Sequence, residues 1–233
     1  MEVVPGLHWV ERIWDTKVYL LCEADRLVVI DAATPGRAGA IWRHLEGLGY
    51  QPGDVDEIWL THGDIDHMGS VAALKAASGA RLVAHRADVP LVEGRAPRQL
   101  GPVPGSGLWQ RLFNWGIDRI FQPAAVDQPL EDGDRLGEWR VVHVPGHTSG
   151  SVCYYHPGRR LAIVGDAINH RRSRFASEGQ LGEPPLTFSN DLAQARKSIQ
   201  KIAALDLEVC CFGHGPPLMQ DAAQRVQALA ARL

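Results

Sequence analysis

The stretch Thr61-His62-Gly63-Asp64-Ile65-Asp66-His67-Met68-Gly69 decides the fold, because it gathers two imidazoles and two carboxylates within a few residues. The apolar run Ile58-Trp59-Leu60 comes directly before it and predicts a short buried strand. The residues from Met68 onward predict a helix. Four potential metal ligands therefore lie on the turn between a strand and a helix, and the rigid flanks let their side chains converge.

These four side chains have the chemistry of metal ligands. Imidazole nitrogen and carboxylate oxygen both bind zinc, and both also suit iron and manganese. The alternative is a polar turn in which Asp64 or Asp66 only caps the following helix. Capping explains neither His62 nor His67, so the stretch favours a metal site.

Three later fragments each place one ligand-type residue beside glycine at the end of a strand-like run. They are Pro145-Gly-His147-Thr-Ser-Gly-Ser151, Val164-Gly-Asp166 and Phe212-Gly-His214-Gly215. In this order the four stretches resemble the metallo-β-lactamase superfamily, with its pattern H-x-H-x-D-H, then His, Asp and His. The resemblance implies an α/β fold, a four-layer αβ/βα sandwich of two mixed β-sheets with helices outside.

The resemblance also implies a dinuclear metal site that this chain matches residue by residue. The implied ligands are His62, Asp64 and His147 for one metal, Asp66, His67 and His214 for the other, and a bridging Asp166. Two divalent cations at such a site lower the pKa of a shared water and supply a metal-bound hydroxide for hydrolysis. Asp66 is the expected catalytic residue, because it can hold the proton of the nucleophile while it ligates.

Asp64 departs from the family pattern, which usually has His at this position. A carboxylate oxygen is a harder ligand atom than an imidazole nitrogen, so Asp64 favours iron or manganese relative to zinc in the first site. Zinc remains the metal expected at both sites. The shorter side chain leaves open a weak first site or a single bound metal. A redox di-iron branch of the superfamily has Glu at this position, so an iron-dependent oxygenase or oxidoreductase is an alternative to the hydrolase.

Two residues are expected to support the ligands rather than to bind metal. Asp31 ends the strand-like run Leu27-Val-Val-Ile30, where the family often has an Asp beneath the metals, and this implies that Asp31 orients a ligand histidine. The alternative is an Asp that opens a turn or caps the next helix. Thr148 follows His147 and is expected to hydrogen-bond to neighbouring ligands.

Residues 86–128 are interrupted by proline and glycine, and they predict a lid-like insertion over the mouth of the site. Residues 107–121 within it predict a helix with an apolar stripe that includes Leu112 and Ile120. Trp115 lies off that stripe and is the expected substrate contact. The alternative is a helix that simply packs on the core.

Residues 168–188 predict a long irregular loop that follows the bridging Asp. His170 is expected to protonate a leaving group, and Arg171, with Arg172 and Arg174, to bind a carboxylate or phosphate of the substrate. The alternative is a solvated basic loop. Helical spacing of apolar residues predicts further helices over 37–49, 191–204 and 219–232, and Ser189 or Asn190 is the expected N-cap of the second of these.

The composition fits one soluble domain over residues 1–233. The net charge of −3 argues against a nucleic-acid partner, and no apolar run approaches the length of a membrane span. The N-terminal residues do not have the pattern of a signal peptide, so the cytoplasm is the simplest location. The four cysteines lie in strand-like runs and are interpreted as buried small hydrophobes.

The function expected from the sequence is a metal-dependent hydrolase of a small ester, lactone or thioester. The single-domain layout looks most like the small-molecule hydrolases of the superfamily. A metal-binding protein without turnover is a further alternative. A homodimer is compatible with the sequence.

Overall fold

The computed structural model of the chain describes residues 1–98, 101, 107–171 and 179–233. These residues form two compact units. The first unit holds residues 1–98 and 107–129, and the second holds the remaining described residues.

The first unit is built on a mixed seven-stranded sheet whose strand order follows the chain. The first four strands are antiparallel neighbours, whereas the fifth runs parallel to the fourth and to the sixth. The strands are β1 (Glu2–Val4), β2 (Leu7–Trp9), β3 (Tyr19–Cys22), β4 (Leu27–Ile30), β5 (Glu57–Trp59), β6 (Arg81–His85) and β7 (Gln128–Leu130). Parallel β4 and β5 bring Asp31 and Thr61, which follow them, to the same edge of the sheet.

Five helices belong to this unit: α1 (Ala38–Gly47), α2 (Ile65–Met68), α3 (Val71–Ser78), α4 (Val89–Val92) and α5 (Gly107–Ile120). The predicted helix over 37–49 is confirmed by α1, which buries Ile41 and Leu45 against the core of this unit. Burial of one such side chain contributes roughly 1.5–3 kcal/mol. The helix predicted after the histidine-rich stretch is divided in two, and its second part, α3, ends at Gly79 with a left-handed φ of 72°.

The second unit contains a five-stranded sheet in the order β14-β11-β10-β9-β8 and a separate two-stranded ribbon. Only β11 and β14 pair in parallel among the described strands of the larger sheet. The strands are β8 (Arg135–Leu136), β9 (Trp139–His143), β10 (Val152–His156), β11 (Leu161–Ile163), β12 (Asn169–Arg171), β13 (Gln180–Gly182) and β14 (Val209–Cys211). Among the described residues of this unit, two α-helices accompany the strands, α6 (Leu192–Ala203) and α7 (Ala222–Ala230).

The ribbon corrects one expectation from the sequence. Residues 168–188 are not an irregular loop throughout, because β12 and β13 pair antiparallel with His170 opposite Leu181. The pairing was missed because each strand has only three residues, too few to show an alternating pattern.

The N-cap of α6 is also corrected. Neither Ser189 nor Asn190 caps this helix, because the side chain of Asp191 accepts a hydrogen bond from the backbone N–H of Gln194 at 2.9 Å. The inner face of α6 buries Ile199 and Ile202 together with Val226 and Leu229 of α7. None of the helices in the described part of the chain has the length and apolar character needed to cross a bilayer.

Candidate metal centre

The histidine-rich stretch forms a tight turn between β5 and α2, as the sequence predicts. Asp64 is the residue before α2 and has extended backbone angles, with φ −96° and ψ 150°. Its side chain makes no capping hydrogen bond to the helix. Capping therefore does not explain Asp64, and its carboxylate is engaged elsewhere.

Four potential donors of the first unit lie close together on this turn. The Nε2 atom of His62 lies 3.9 Å from the Oδ2 atom of Asp64, and the Nε2 atom of His67 lies 3.8 Å from the Oδ2 atom of Asp66. The two imidazole rings are 4.1 Å apart between centroids. His62, Asp64 and His67 are buried, while the side chain of Asp66 keeps 30% of its surface exposed. Asp66 is therefore the donor of this unit that water reaches most easily.

Hydrogen bonds around Asp31 fix the tautomer of His67. The Nδ1 atom of His67 lies 2.8 Å from the Oδ2 atom of Asp31, and the carboxylate can only accept, so Nδ1 carries the proton. The Nε2 atom of His67 then has the lone pair that a metal needs, and in this structure the hydroxyl of Thr16 lies 3.1 Å from it. Thr16 is buried and was not found from the sequence, where it has no motif around it.

Asp31 also sets the tautomer of His62 through Thr61. The hydroxyl of Thr61 donates to Asp31 Oδ2 at 2.8 Å, so it accepts from the Nδ1–H of His62 at 3.0 Å. The lone pair of His62 is thus on Nε2, as it is in His67. A second oxygen of Asp31 accepts from the backbone N–H of Thr61 at 2.8 Å.

The backbone of Asp31 is held in the left-handed region, with φ 63°. This region is uncommon for residues other than glycine, although Asp and Asn tolerate it best. The conformation lets one buried carboxylate serve both Thr61 and His67. These bonds, rather than a turn or a helix cap, account for Asp31.

Arg98 binds the carboxylate of Asp64 in a two-pronged ion pair. The Nε atom of Arg98 donates to Oδ1, and its Nη2 atom donates to Oδ2 at 3.1 Å. Only 4% of the Arg98 side chain and 12% of the Asp64 side chain are exposed. Arg98 was missed by sequence reasoning, since it follows Asp64 by 34 residues in a proline-rich segment without a recognisable motif.

A second carboxylate missed from the sequence supports the same turn. The Oδ2 atom of the buried Asp88 accepts from the backbone N–H of Gly63 at 2.7 Å. A Cβ at Gly63 would lie 3.1 Å from the side chain of Leu91, so glycine leaves room for α4 to approach. The turn is therefore held from two sides, by Asp31 and by Asp88.

The second unit brings its three predicted ligands together. One carboxylate oxygen of Asp166, Oδ2, lies 3.1 Å from the Nε2 atom of His214 and 3.8 Å from the Nε2 atom of His147. Asp166 and His147 are buried, and the side chain of His214 is 34% exposed. One carboxylate oxygen of Asp166 thus faces the Nε2 atoms of both imidazoles.

Two of these predicted ligands, His147 and His214, each stand next to a glycine that no larger residue could replace without a clash. Gly146 has φ 131°, and a Cβ there would overlap the backbone of Ala195 in α6. Gly215 has φ 94°, and a Cβ there would overlap the carbonyl oxygen of His170. His147 and His214 adjoin these glycines, so each imidazole is positioned by a close backbone contact within its own unit.

The remaining site predictions fall in different surroundings. Thr148 is buried, and its hydroxyl lies 2.8 Å from that of Ser151, which holds the turn around His147. His170 is also buried, and its Nδ1–H donates to the carbonyl of Pro216 at 2.6 Å, which favours a structural role. Trp115 is 56% exposed on α5, with the guanidinium of Arg119 3.7 Å above its ring.

Several predicted residues lie outside what the structure describes. Arg171 ends β12, but its side chain is not among the described ones. Arg172 and Arg174 lie outside the described residues altogether. On α5, Leu112 and Ile120 are exposed, so these two members of the predicted apolar stripe do not pack on the core.

The donor chemistry of both units fits divalent metal ions. The first unit offers two imidazoles with Nε2 lone pairs and two carboxylates, and the second offers a carboxylate between two imidazoles. Hydrogen-bonded Nδ1 atoms such as those of His62 and His67 are the usual support of metal-binding histidines. Cys210 is not among the described donors that come together, and it is buried in β14 within the apolar core of the second unit.

The chain belongs to the metallo-beta-lactamase superfamily, whose family model matches residues 13–214. The probable metallo-hydrolase YflN of Bacillus subtilis is 31% identical to it over 93% of this chain and 86% of that protein. The hydroxyacylglutathione hydrolase of Aeromonas hydrophila is 30% identical over 82% of this chain, and the match spans 57% of that longer protein.

A solved structure confirms the fold class. A metallo-beta-lactamase family protein of Thermus thermophilus, TTHA1429, matches with a TM-score of 0.73 and 26% identity, over 99% of this chain and 80% of that chain. Two mixed sheets with helices, the αβ/βα class predicted from the sequence, are therefore correct. Family membership also shows a metallo-hydrolase at the level of the superfamily.

Proposed function

We propose that this protein hydrolyses a small ester, lactone or thioester at a dinuclear metal centre. His62, Asp64 and His147 would bind one ion, Asp66, His67 and His214 the other, and Asp166 would bridge them. The observation that carries the proposal is the pair of buried imidazoles, His62 and His67, whose Nδ1 protons are both fixed by hydrogen bonds. Such fixed tautomers serve metal binding, because they keep both Nε2 lone pairs available.

The residues of the chain take distinct parts in the proposed reaction. When bound, divalent metal ions lower the pKa of water and polarise the carbonyl oxygen under attack, which is the chemistry of hydrolysis. Asp66 is the most exposed donor of its unit and would hold the proton taken from the attacking water. Asp31, through His67 and Thr61, would keep both imidazoles in place while the substrate turns over.

We propose zinc as the metal at both positions. Asp64 adds a negative charge to the ligand set, which alone favours iron or manganese. The guanidinium of Arg98 lies against this carboxylate and offsets the added charge. Asp64 can still ligate, since each carboxylate oxygen has two lone pairs and Arg98 uses one donor on each.

The proposed substrate is a small molecule that contains an acyl bond. Two of the relatives described above are named as hydrolases. One is named a probable metallo-hydrolase, and the other a hydroxyacylglutathione hydrolase. The net charge of −3 supports a small-molecule substrate rather than a nucleic acid. Esters, lactones and thioesters all contain such an acyl bond, so we propose these three classes of substrate.

The proposal is tested by metal analysis and a substrate panel on the same preparation. Freshly purified protein is analysed for zinc, iron and manganese, and is then assayed against esters, lactones, thioesters and phosphodiesters. We expect zinc-dependent hydrolysis of an acyl substrate that Asp66→Asn lowers by at least about a hundredfold in kcat, within the usual range for loss of a general base. The exposed Asp25 provides the matched control, Asp25→Asn, which should hydrolyse at the wild-type rate.

Two outcomes would contradict the proposal in different ways. Protein that contains mainly iron and consumes oxygen would be an oxygenase or oxidoreductase. Fully metal-loaded protein without activity on the whole panel would be a metal-binding protein without turnover.

A further inference from the structure

A pocket of about 320 Å³ opens beside the histidine-rich turn, wholly within the first unit. Gly63, Ile65 and Met68 line one side of it, and these residues are interspersed along the chain with the proposed ligands. Leu91 of α4 and Phe121 line other parts of its wall. The volume is at the lower end of the roughly 300–1,000 Å³ found for small-molecule sites.

Apolar side chains supply much of the wall of this pocket. Ile65, Met68, Leu91 and Phe121 contribute aliphatic carbon, thioether or aromatic surface, and Pro97 adds a ring. Met68 is buried with 4% exposure, so its thioether forms part of a packed wall rather than a surface patch. Contact between such a surface and an apolar group stabilises the complex, because both surfaces are removed from water.

Two arginines also line the pocket, and each has an acidic partner. Arg98 is bound by Asp64, and the Nε atom of Arg95 lies 2.8 Å from a carboxylate oxygen of Glu93. The four charges sum to zero. The pocket therefore lacks the net positive charge that would select a carboxylate or a phosphate.

We propose that this pocket binds the uncharged apolar part of the substrate, an alkyl or aryl chain next to the bond that is hydrolysed. The inference rests on the proposed function, and it narrows the substrate to neutral esters, lactones or thioesters with an apolar chain. Gly63 and Ile65 flank Asp64 in the chain, so a group held against them would have its acyl carbon beside the proposed ligands.

Kinetics of a chain-length series test the proposal. The zinc-loaded protein is assayed with 4-nitrophenyl acetate, butanoate, hexanoate and octanoate. We expect kcat/KM to rise about three- to fourfold for each methylene that becomes buried, until the pocket is full. Leu91→Trp should abolish this rise, and Leu91→Ala should move the optimum to longer chains.

The control variant is Leu108→Trp, which places the same side chain on a 67% exposed position of α5 in the same unit. It should keep the wild-type dependence on chain length. Hydrolysis that is independent of chain length, or a Leu91→Trp variant with an unchanged profile, would overturn the pocket proposal and leave the hydrolase intact.

A binding experiment tests the pocket proposal independently of enzymatic activity. The chain has three methionines, of which Met68 lines the pocket while Met1 and Met219 are 50% and 43% exposed. In zinc-loaded protein with ¹³C-methyl methionine, the neutral probe 2-octanone should shift the Met68 resonance alone, and Leu91→Trp should remove the shift. An unmoved Met68 signal, or equal shifts at all three, would overturn the proposal even if no hydrolysis were found.

Discussion

Arg98 binds both carboxylate oxygens of Asp64 in a pair that is almost entirely buried. A buried ion pair is costly to break, because removal of one partner leaves the other charge without compensation. Asp64 is also the one position where the chain departs from the usual ligand pattern of its family. The Asp64 carboxylate, proposed as a metal ligand, and the guanidinium of Arg98 thus form one structural feature.

Removal of the arginine alone should destabilise the first unit. Arg98→Met removes both hydrogen bonds from the guanidinium to the buried Asp64 carboxylate, and we expect a loss of about 3–5 kcal/mol in the free energy of unfolding. Asp64→His alone should also be destabilising, since it removes the two carboxylate oxygens to which Arg98 donates. The double variant Asp64→His/Arg98→Met should recover most of the loss, and both Asp64→His proteins should contain more zinc per molecule than the wild type.

Urea denaturation of the metal-free proteins measures these free energies, and elemental analysis measures the zinc. Equal stability of all four proteins would mean that the pair contributes nothing. Unchanged zinc content in Asp64→His and in the double variant would mean that Asp64 is not a ligand.

Asp31 should control metal affinity without touching the metal. Asp31→Asn keeps a residue that tolerates a φ of 63°, but it replaces an acceptor oxygen by an NH₂ group that cannot accept from His67 or Thr61. We expect zinc affinity to fall about 10- to 100-fold, as found for outer-shell partners of metal ligands. Competition with a chromophoric chelator gives the affinity, and Asp25→Asn is the exposed control. Wild-type affinity in Asp31→Asn would show that the tautomers are fixed by other contacts.

Asp166 should matter for both metals. Its Oδ2 atom lies near the Nε2 atoms of both His147 and His214, so Asp166→Ala should lower the occupancy at both positions. The zinc content of each preparation, measured by mass spectrometry, distinguishes loss of both ions from loss of one. Loss of one ion only would argue against bridging.

The buried cysteines should be unreactive in the folded protein. Burial raises the pKa of the Cys153 thiol to about 12, so at pH 8 only about one molecule in 10⁴ has the thiolate that reacts. A raised pKa lowers the thiolate fraction at every pH below it, and Cys210 shifts in the same direction. Ellman's reagent should leave both unmodified in native protein and modify all four cysteines after denaturation. Rapid native labelling of Cys153 would contradict its burial.

Asp132 should make part of the stability of the second unit depend on acid. Burial opposes ionisation of this carboxyl, but hydrogen bonds from the His143 N–H and from Lys201 outweigh it and hold its pKa below the ordinary value. A lowered folded-state pKa stabilises the protein above the unfolded pKa of about 3.9, and the contribution is lost as pH falls through the folded-state pKa. Asp132→Asn should therefore lower the melting temperature at pH 7, with a difference that shrinks in acid.

Much of the fold could be predicted because periodic apolar residues determine long elements. The strand before His62 and the helices around Ile41 and Ile199 follow from such patterns. The β12–β13 ribbon could not be predicted, since its pairing depends on backbone contacts such as that between the His170 N–H and the His214 carbonyl. Short strands of this kind are selected by tertiary structure rather than by local sequence.

The candidate site divides in a similar way. The proposed ligands stand in short motifs, and within each unit the structure brings them together. Arg98, Thr16 and Asp88 could not be predicted, because each acts through one side chain that reaches the site from a distant segment. A residue type without a neighbouring motif gives no signal in a single sequence.

The left-handed backbone at Asp31 has a consequence for the evolution of this lineage. Most substitutions there would lose the hydrogen bonds to Thr61 and His67 and keep the backbone cost of about 1–2 kcal/mol that a left-handed residue carries. We therefore expect related proteins with other substrates to differ in the pocket wall around Leu91 and Phe121 and to keep the loop of Asp31. Sequence differences among orthologues should be frequent in the pocket wall and rare at Asp31, which supports the proposed ligands His62 and His67.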